Sequence, residues 1–318
     1  MVDQISSPDT CRVCGASLSR EEFPIDGLCR RCAGGNEPQV SEIEPATHSA
    51  NPIDFISESR PIAEPDPDDP PWGPFTGISV WLVSVAAIIV VPVIAVALWL
   101  VIQTVRGAPL PNFTARDEVE QWVMSPNILL LQIVSTIVAH ALTLAICWAV
   151  VTKMGSRPFR ASLGWSWGGR RVWYWIVFSG CTLLAIQILS QVLIRFLPER
   201  ESPFDQLLKS SQQVRIAVAI LAVCTAPIVE EVVYRGLLFS ALRKRIGVIA
   251  TVIIVTATFA GVHVFQNRGA WVSISGLAFL SLALTTVRAR TKSVLPCVFI
   301  HTLNNAFASL VILINKGS

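Results

Sequence analysis

Charge is scarce in this chain. Asp, Glu, Lys and Arg make up 15% of its 318 residues, against about a quarter in ordinary soluble domains, while 52% of the residues are apolar. That balance excludes a conventional soluble globular enzyme. The scarcity is also uneven. Residues 1–75 carry 14 acidic and 5 basic residues, a net charge of −9, whereas residues 76–318 carry 8 acidic and 20 basic residues, a net charge of +12. Two solvents for two parts of one chain are implied. A third absence is an apolar h-region in the first 30 residues, so a membrane destination is expected to be set by the first internal apolar segment.

The amino-terminal part contains Cys11-x2-Cys14 and Cys29-x2-Cys32. Two such knuckles supply four thiolates for a tetrahedral zinc site. Residues 1–35 are therefore expected to be a zinc ribbon with a structural Zn²⁺ held by Cys11, Cys14, Cys29 and Cys32. Two disulfides are the alternative, and they would need an oxidising compartment. Residues 36–76, with the stretch PIAEPDPDDPPWGPF, are too Pro-rich and acidic to build a core and are expected to be a disordered linker. An acidic arm repels phosphate, so no nucleic-acid partner is expected. The ribbon is expected to be a structural knob or a docking module for a protein partner.

From residue 77 to 318 the pattern changes to long apolar runs. A membrane helix needs about 20 such residues, and seven candidates follow at roughly 78–104, 127–152, 172–195, 215–239, 247–266, 270–287 and 294–314. In lipid every backbone group must be satisfied within its own segment, which makes these spans helices. The fold class is thus all-α, a polytopic helical bundle. Trp72, Trp122, Trp165, Trp167, Trp173 and Trp271 lie near span ends, as an interfacial belt would place them. Basic residues concentrate in alternate loops, at 153–171, 243–245 and 288–292. This places the amino terminus in the cytoplasm and the carboxyl terminus outside, and a reducing cytoplasm favours zinc over disulfides. Cys147, Cys181, Cys224 and Cys297 stand alone within spans and are expected to be small apolar fillers.

Six of the eight acids after residue 75 lie between spans. The other two, Glu230 and Glu231, are adjacent and lie inside one. Ionisable groups in a bilayer core are costly and functional by default. Glu231 and Arg235 are i and i+4, share a helix face and can pair. Glu230 is turned about 100° away and has no partner in its own helix. His301 and Asn305 are also i and i+4, with Asn304 the competitor at i+3, and Phe259 should pack over the same face as His263. A carboxylate near two imidazoles can deprotonate a water, and an amide or second imidazole can stabilise an oxyanion. Glu230, His263, His301 and Asn305 therefore suit amide hydrolysis. Glu230, His263 and His301 also suit a catalytic metal, and the residues alone leave both routes open. His140, alone in the second span, reads as a satisfied hydrogen-bonder.

The order and spacing Glu230-Glu231-x3-Arg235, Phe259-x3-His263 and His301-x3-Asn305 resemble the CPBP group of intramembrane proteases. That group includes CAAX prenyl endopeptidases and bacterial proteins linked to bacteriocin processing and self-immunity. The resemblance covers roughly residues 160–314. It implies that Glu230 is the general base, that His263 assists at the water, that His301 and Asn305 stabilise the oxyanion, and that Glu231 and Arg235 hold the site. It also implies a peptide or protein substrate at the membrane. Members are commonly labelled metalloproteases, although a metal-independent glutamate mechanism has also been argued. A transporter using the same groups as a proton relay, or an idle immunity or scaffold protein, are the alternatives. A transporter often repeats its spans, and no second copy of these signals is present.

One geometric conflict stands. On straight helices rising about 1.5 Å per residue, Glu230 and His301 sit roughly 15 and 12 Å from the cytoplasmic ends of their spans, but His263 sits roughly 24 Å from its own. A later start, a tilt or a broken helix is required, with Pro227, Gly236 and Gly261 as candidate kink sites.

Overall fold

The structure is a computed structural model that describes residues 66–198 and 200–314. The zinc ribbon expected at Cys11, Cys14, Cys29 and Cys32, and the linker as far as residue 65, lie outside the described residues. The described chain is an all-helical, polytopic membrane bundle. In order its helices are α1 (Pro74–Val105), α2 (Arg116–Val123), α3 (Pro126–Thr152), α4 (Phe159–Ser162), α5 (Val172–Leu193), α6 (Pro203–Ser210), α7 (Gln212–Ile220), α8 (Ala226–Glu231), α9 (Phe239–His263), α10 (Trp271–Thr291) and α11 (Leu295–Ile314). Six apolar stretches are long enough to cross a membrane, with mean hydropathies of 1.5 to 3.1. α1 is the most apolar and the least covered by its neighbours. Large side chains such as Ile89, Val93 and Leu98 stand exposed on it, as a lipid-facing helix requires.

The count of six instead of seven has a local cause. α7, α8 and α9 form one helical run of 52 residues, Gln212–His263. It is broken at Gly247, whose φ of 77° and ψ of 172° leave the helical region. Glycine populates positive φ without steric cost, so the chain reverses there. Phe259 follows Gly247 by the same 12 residues by which Arg235 precedes it, and the two meet, with the Arg235 guanidinium 4.8 Å from the Phe259 ring centre. The run is therefore an antiparallel hairpin centred on Gly247. The fourth span does not end near 239, as its apolar pattern suggests, but carries Arg243, Lys244 and Arg245 inside its last turns. The extension resolves the conflict of heights. Glu230 lies 17 residues before the reversal and His263 lies 16 after it, so both are about 25 Å from the turn.

The three basic loops gather at the Gly247 end. Val294 donates its N–H to Gly164 O at 3.1 Å, which ties the 153–171 loop to the start of α11. Residues 66–73 pack at this same end and are not free linker. Asp68 pairs with Arg288 at 2.9 Å and with Arg243, Asp69 pairs with Lys244, and the Trp72 indole N–H donates to Leu237 O at 3.2 Å. Trp72 is thus a buried anchor and not a member of an interfacial belt, whereas Trp173 and Trp271 are exposed. At the opposite end, Arg200 N–H and Phe204 N–H donate to Gly269 O and Gln266 O. There the Ser202–Asp205 capping box starts α6.

Candidate active site

The polar residues singled out in the apolar spans sit on a distorted part of the hairpin. The helix widens into π turns at Leu221–Thr225 and at Val232–Leu238, on either side of α8 and its two glutamates. Pro227 explains the first. Proline has no N–H to donate, so the i+5 partner of Ala222 O is missing, and the Asn305 amide donates to that carbonyl at 2.8 Å instead. The second π turn contains Gly236, where a Cβ would lie 2.9 Å from Leu163 Cδ2. Of the three candidate kink sites, Pro227 and Gly236 mark distortions. Gly261 lies in regular helix, and the break falls at Gly247.

Glu231 and Arg235 are fully buried and paired at 2.8 Å. Arg235 also donates from Nη2 to Ser281 Oγ at 2.8 Å and Ser281 O at 3.1 Å, and from Nε to Thr285 Oγ1 at 3.3 Å. The guanidinium thus clamps α8 to α10. Glu231 Oε1 faces a second group as well: His301 Nδ1 lies 2.8 Å from it. With Nδ1–H donating to this carboxylate, the imidazole ring is fixed and its Nε2 faces away from Glu231. That edge points towards Glu230, whose Oε2 lies 3.8 Å off, longer than a direct hydrogen bond. The Glu230 side chain is 20% exposed, whereas that of Glu231 is 0% exposed. Adjacent in sequence, the two carboxylates occupy different surroundings: one is locked, and the other is partly open with a histidine edge before it.

His263 is in regular helix at the end of α9. Its Nδ1–H donates to Phe259 O at 2.7 Å, which leaves Nε2 as its free edge. Phe259 stacks on His263 at 4.7 Å and meets His301 edge-on at 5.9 Å. His263 therefore joins the group through the Phe259 ring, at the height of Glu230. Among the described residues it makes no hydrogen bond or ion pair with Glu230 or His301. The two asparagines divide. Asn304 is buried and donates to Ser179 Oγ at 3.0 Å and Ile300 O at 2.8 Å, locking α11 to α5. Asn305 is on the His301 face, and one of its two N–H donors serves Ala222 O. His140 Nδ1 lies 2.9 Å from Thr225 Oγ1 at the end of the first π turn.

Glu230, His263 and His301, the residues of the metal reading, are not drawn together here as a three-ligand set. Among the described residues no three His, Cys, Asp or Glu side chains form a group that could hold a metal ion. His301 Nε2 and Glu230 Oε2 face each other at 3.8 Å, while His263 lies across the Phe259 ring.

Several residues that hold the site are ones that sequence patterns do not single out. Ser281, Thr285 and Arg288 form an i, i+4, i+7 stripe on α10, the helix neighbouring α9; that polar stripe in an apolar span was the available signal. Arg288 reads as a loop charge but is 0% exposed. It donates to Arg235 O at 3.0 Å, Ser240 Oγ at 2.9 Å, Pro67 O at 3.0 Å and Asp68 Oδ1 at 2.9 Å. Burial pushes the Asp68 carboxyl up. The Arg288 charge, with hydrogen bonds from Arg243 and Arg288, outweighs that and holds it below its ordinary range.

No curated protein and no solved structure is significantly similar to this chain. Residues 212–307, which run from α7 into α11 and carry Glu230, Glu231, Arg235, His263, His301 and Asn305, match the family model described as Type II CAAX prenyl endopeptidase Rce1-like.

Proposed function

We propose that the chain is an intramembrane endopeptidase that hydrolyses a peptide bond of a membrane-associated protein or peptide. The observation that carries this reading is His301 standing between two unlike carboxylates, with Nδ1 on the buried Glu231 and Nε2 towards the open Glu230. His301, held by Glu231 through Nδ1, presents Nε2 to Glu230. That geometry lets Glu230 and His301 act on one bound water. In the ionised form Glu230 takes a proton from water as the water oxygen bonds to the scissile carbonyl carbon. The carbonyl π electrons move to oxygen, where His301 Nε2–H and the second Asn305 N–H stabilise the charge. The tetrahedral adduct then collapses, the C–N bond breaks, and Glu230 returns the proton to the leaving amine. His263 Nε2 assists at the water.

The basic end faces the cytoplasm in this reading, by the excess of Lys and Arg there, and the amino-terminal arm with its structural zinc at Cys11, Cys14, Cys29 and Cys32 lies on the same side. The test is cleavage of a membrane-anchored peptide library in liposomes by wild type and Glu230→Gln, each with residues 1–35 deleted and each with and without chelator. Cleavage by wild type alone, unaffected by chelator, is the expected result. Equal cleavage by both proteins overturns the assignment of the base.

A further inference from the structure

Between α5 and α10 lies a groove of about 480 Å³. It is on the opposite side of α10 from the Arg235 clamp: Ser281 and Thr285 face Arg235, whereas Leu282 and Thr286 line the groove. Its deep walls are apolar, formed by Phe178, Phe279 and Leu282, and its rim carries Arg170 and Arg290. Arg290 follows Phe279 by 11 residues, a rise of about 16 Å. That is roughly half of the ~30 Å hydrocarbon, the depth of one leaflet.

Arg170 and Arg290 are the two cations of this end that line the groove, and like Arg160, Arg171 and Arg245 they have no carboxylate partner among the described residues. At the same end of the bundle Arg243, Lys244, Arg288 and Lys292 all have a carboxylate partner among Asp66, Asp68 and Asp69. Among the described residues Arg170 and Arg290 have none, although both are exposed; Arg170 only lies 5.3 Å over the Tyr174 ring. Arg290 also borders a second apolar groove, of about 270 Å³, between α9 and α10, lined by Ile249, Val252 and Ile253. A cation pair without acidic partners thus sits above two apolar channels on either side of α10, at the level where the spans leave the hydrocarbon.

We propose that Arg170 and Arg290 bind the phosphate of an anionic diacyl phospholipid, with one acyl chain in the α5–α10 groove and the other along the α9–α10 groove. Two guanidiniums match a phosphate by charge-assisted hydrogen bonds. Basic pockets between helices at the membrane surface recognise such headgroups. A zwitterionic lipid brings its own ammonium to the same place and is disfavoured. The site is separate from the proteolytic reading and stands or falls without it.

Native mass spectrometry of the full chain in detergent, supplied with phosphatidylglycerol or phosphatidylcholine, tests this, with the thermal midpoint measured in parallel. Wild type is expected to retain phosphatidylglycerol at least tenfold over phosphatidylcholine and to gain thermal stability from it. Arg170→Gln/Arg290→Gln is expected to lose both effects, while Arg160→Gln, at an exposed position of the same loop, keeps them. Leu282→Trp fills the groove without touching the cations and is expected to lose retention too. Glycerol phosphate, which has the anion without the chains, is expected not to compete. Equal retention of the two lipids by wild type, unchanged retention by the Arg170/Arg290 variant, unchanged retention by Leu282→Trp, or full competition by glycerol phosphate would each overturn the proposal.

Discussion

Arg235 and Arg288 are both fully buried, and both work by donating to several groups at once, yet their counter-charges come from opposite extremes of sequence separation. Arg235 finds Glu231 one helical turn away. Arg288 finds Asp68, 220 residues earlier and outside the spans. The first pair is self-contained and carries His301 with it. The second exists only because residues 66–73 return to the bundle. The two networks touch, since Arg288 donates to the carbonyl of Arg235, so the juxtamembrane strap supports the backbone of the second π turn. A local pair builds the site, and a remote pair holds the site's helix in place.

Substitutions can break this comparison. The largest effect is expected from Glu231→Gln, which keeps the shape but leaves Arg235 a buried charge without an anion. A loss of about 3–5 kcal/mol is expected, as for a broken buried pair, read from denaturation in micelles. Asp68→Asn should cost less, about 1–3 kcal/mol, because Arg288 keeps its bonds to Arg235 O, Ser240 and Pro67 O. If Asp68→Asn matched Glu231→Gln, the remote pair would be as central as the local one. Trp72→Phe removes one indole bond to Leu237 O and should cost about 0.5–1.5 kcal/mol. The smallest effect is on pH dependence. The folded Asp68 carboxyl lies below its ordinary 3.8, so its contribution is complete above that value and is lost as pH falls through the lower folded value. Melting followed downward from about pH 4 should show an acid limb that Asp68→Asn flattens.

Much of the site is legible in the residues because it is written in helical spacing. The pair at 231 and 235, the divergence of Glu230 from Glu231, the face shared by His301 and Asn305, and the packing of Phe259 on His263 all follow from 100° per residue. What spacing cannot carry is register between helices. The extension of the fourth span through Arg243-Lys244-Arg245 contradicts its apolar pattern, because those charges find Asp68 and Asp69 or solvent at the helix end. Gly247, not Gly261, takes the reversal, because the reversal needs a positive φ and Gly247 supplies it at 77°. The free carbonyl at Ala222 is predictable from Pro227, but its capture by Asn305 is a tertiary event. Asp68 reads as one acid among 14 in a polar arm; only the fold shows that Arg288 is its partner.

The division of labour between the adjacent glutamates is tested most directly by measuring cleavage and unfolding midpoint on the same samples of Glu230→Gln and Glu231→Gln. With Glu230 as the base and Glu231 as the anchor, Glu230→Gln keeps the wild-type midpoint and loses at least about a hundredfold in kcat, the scale of general-base catalysis. Glu231→Gln lowers the midpoint. A Glu230→Gln protein that cleaves at the wild-type rate, or one that unfolds as early as Glu231→Gln, contradicts it.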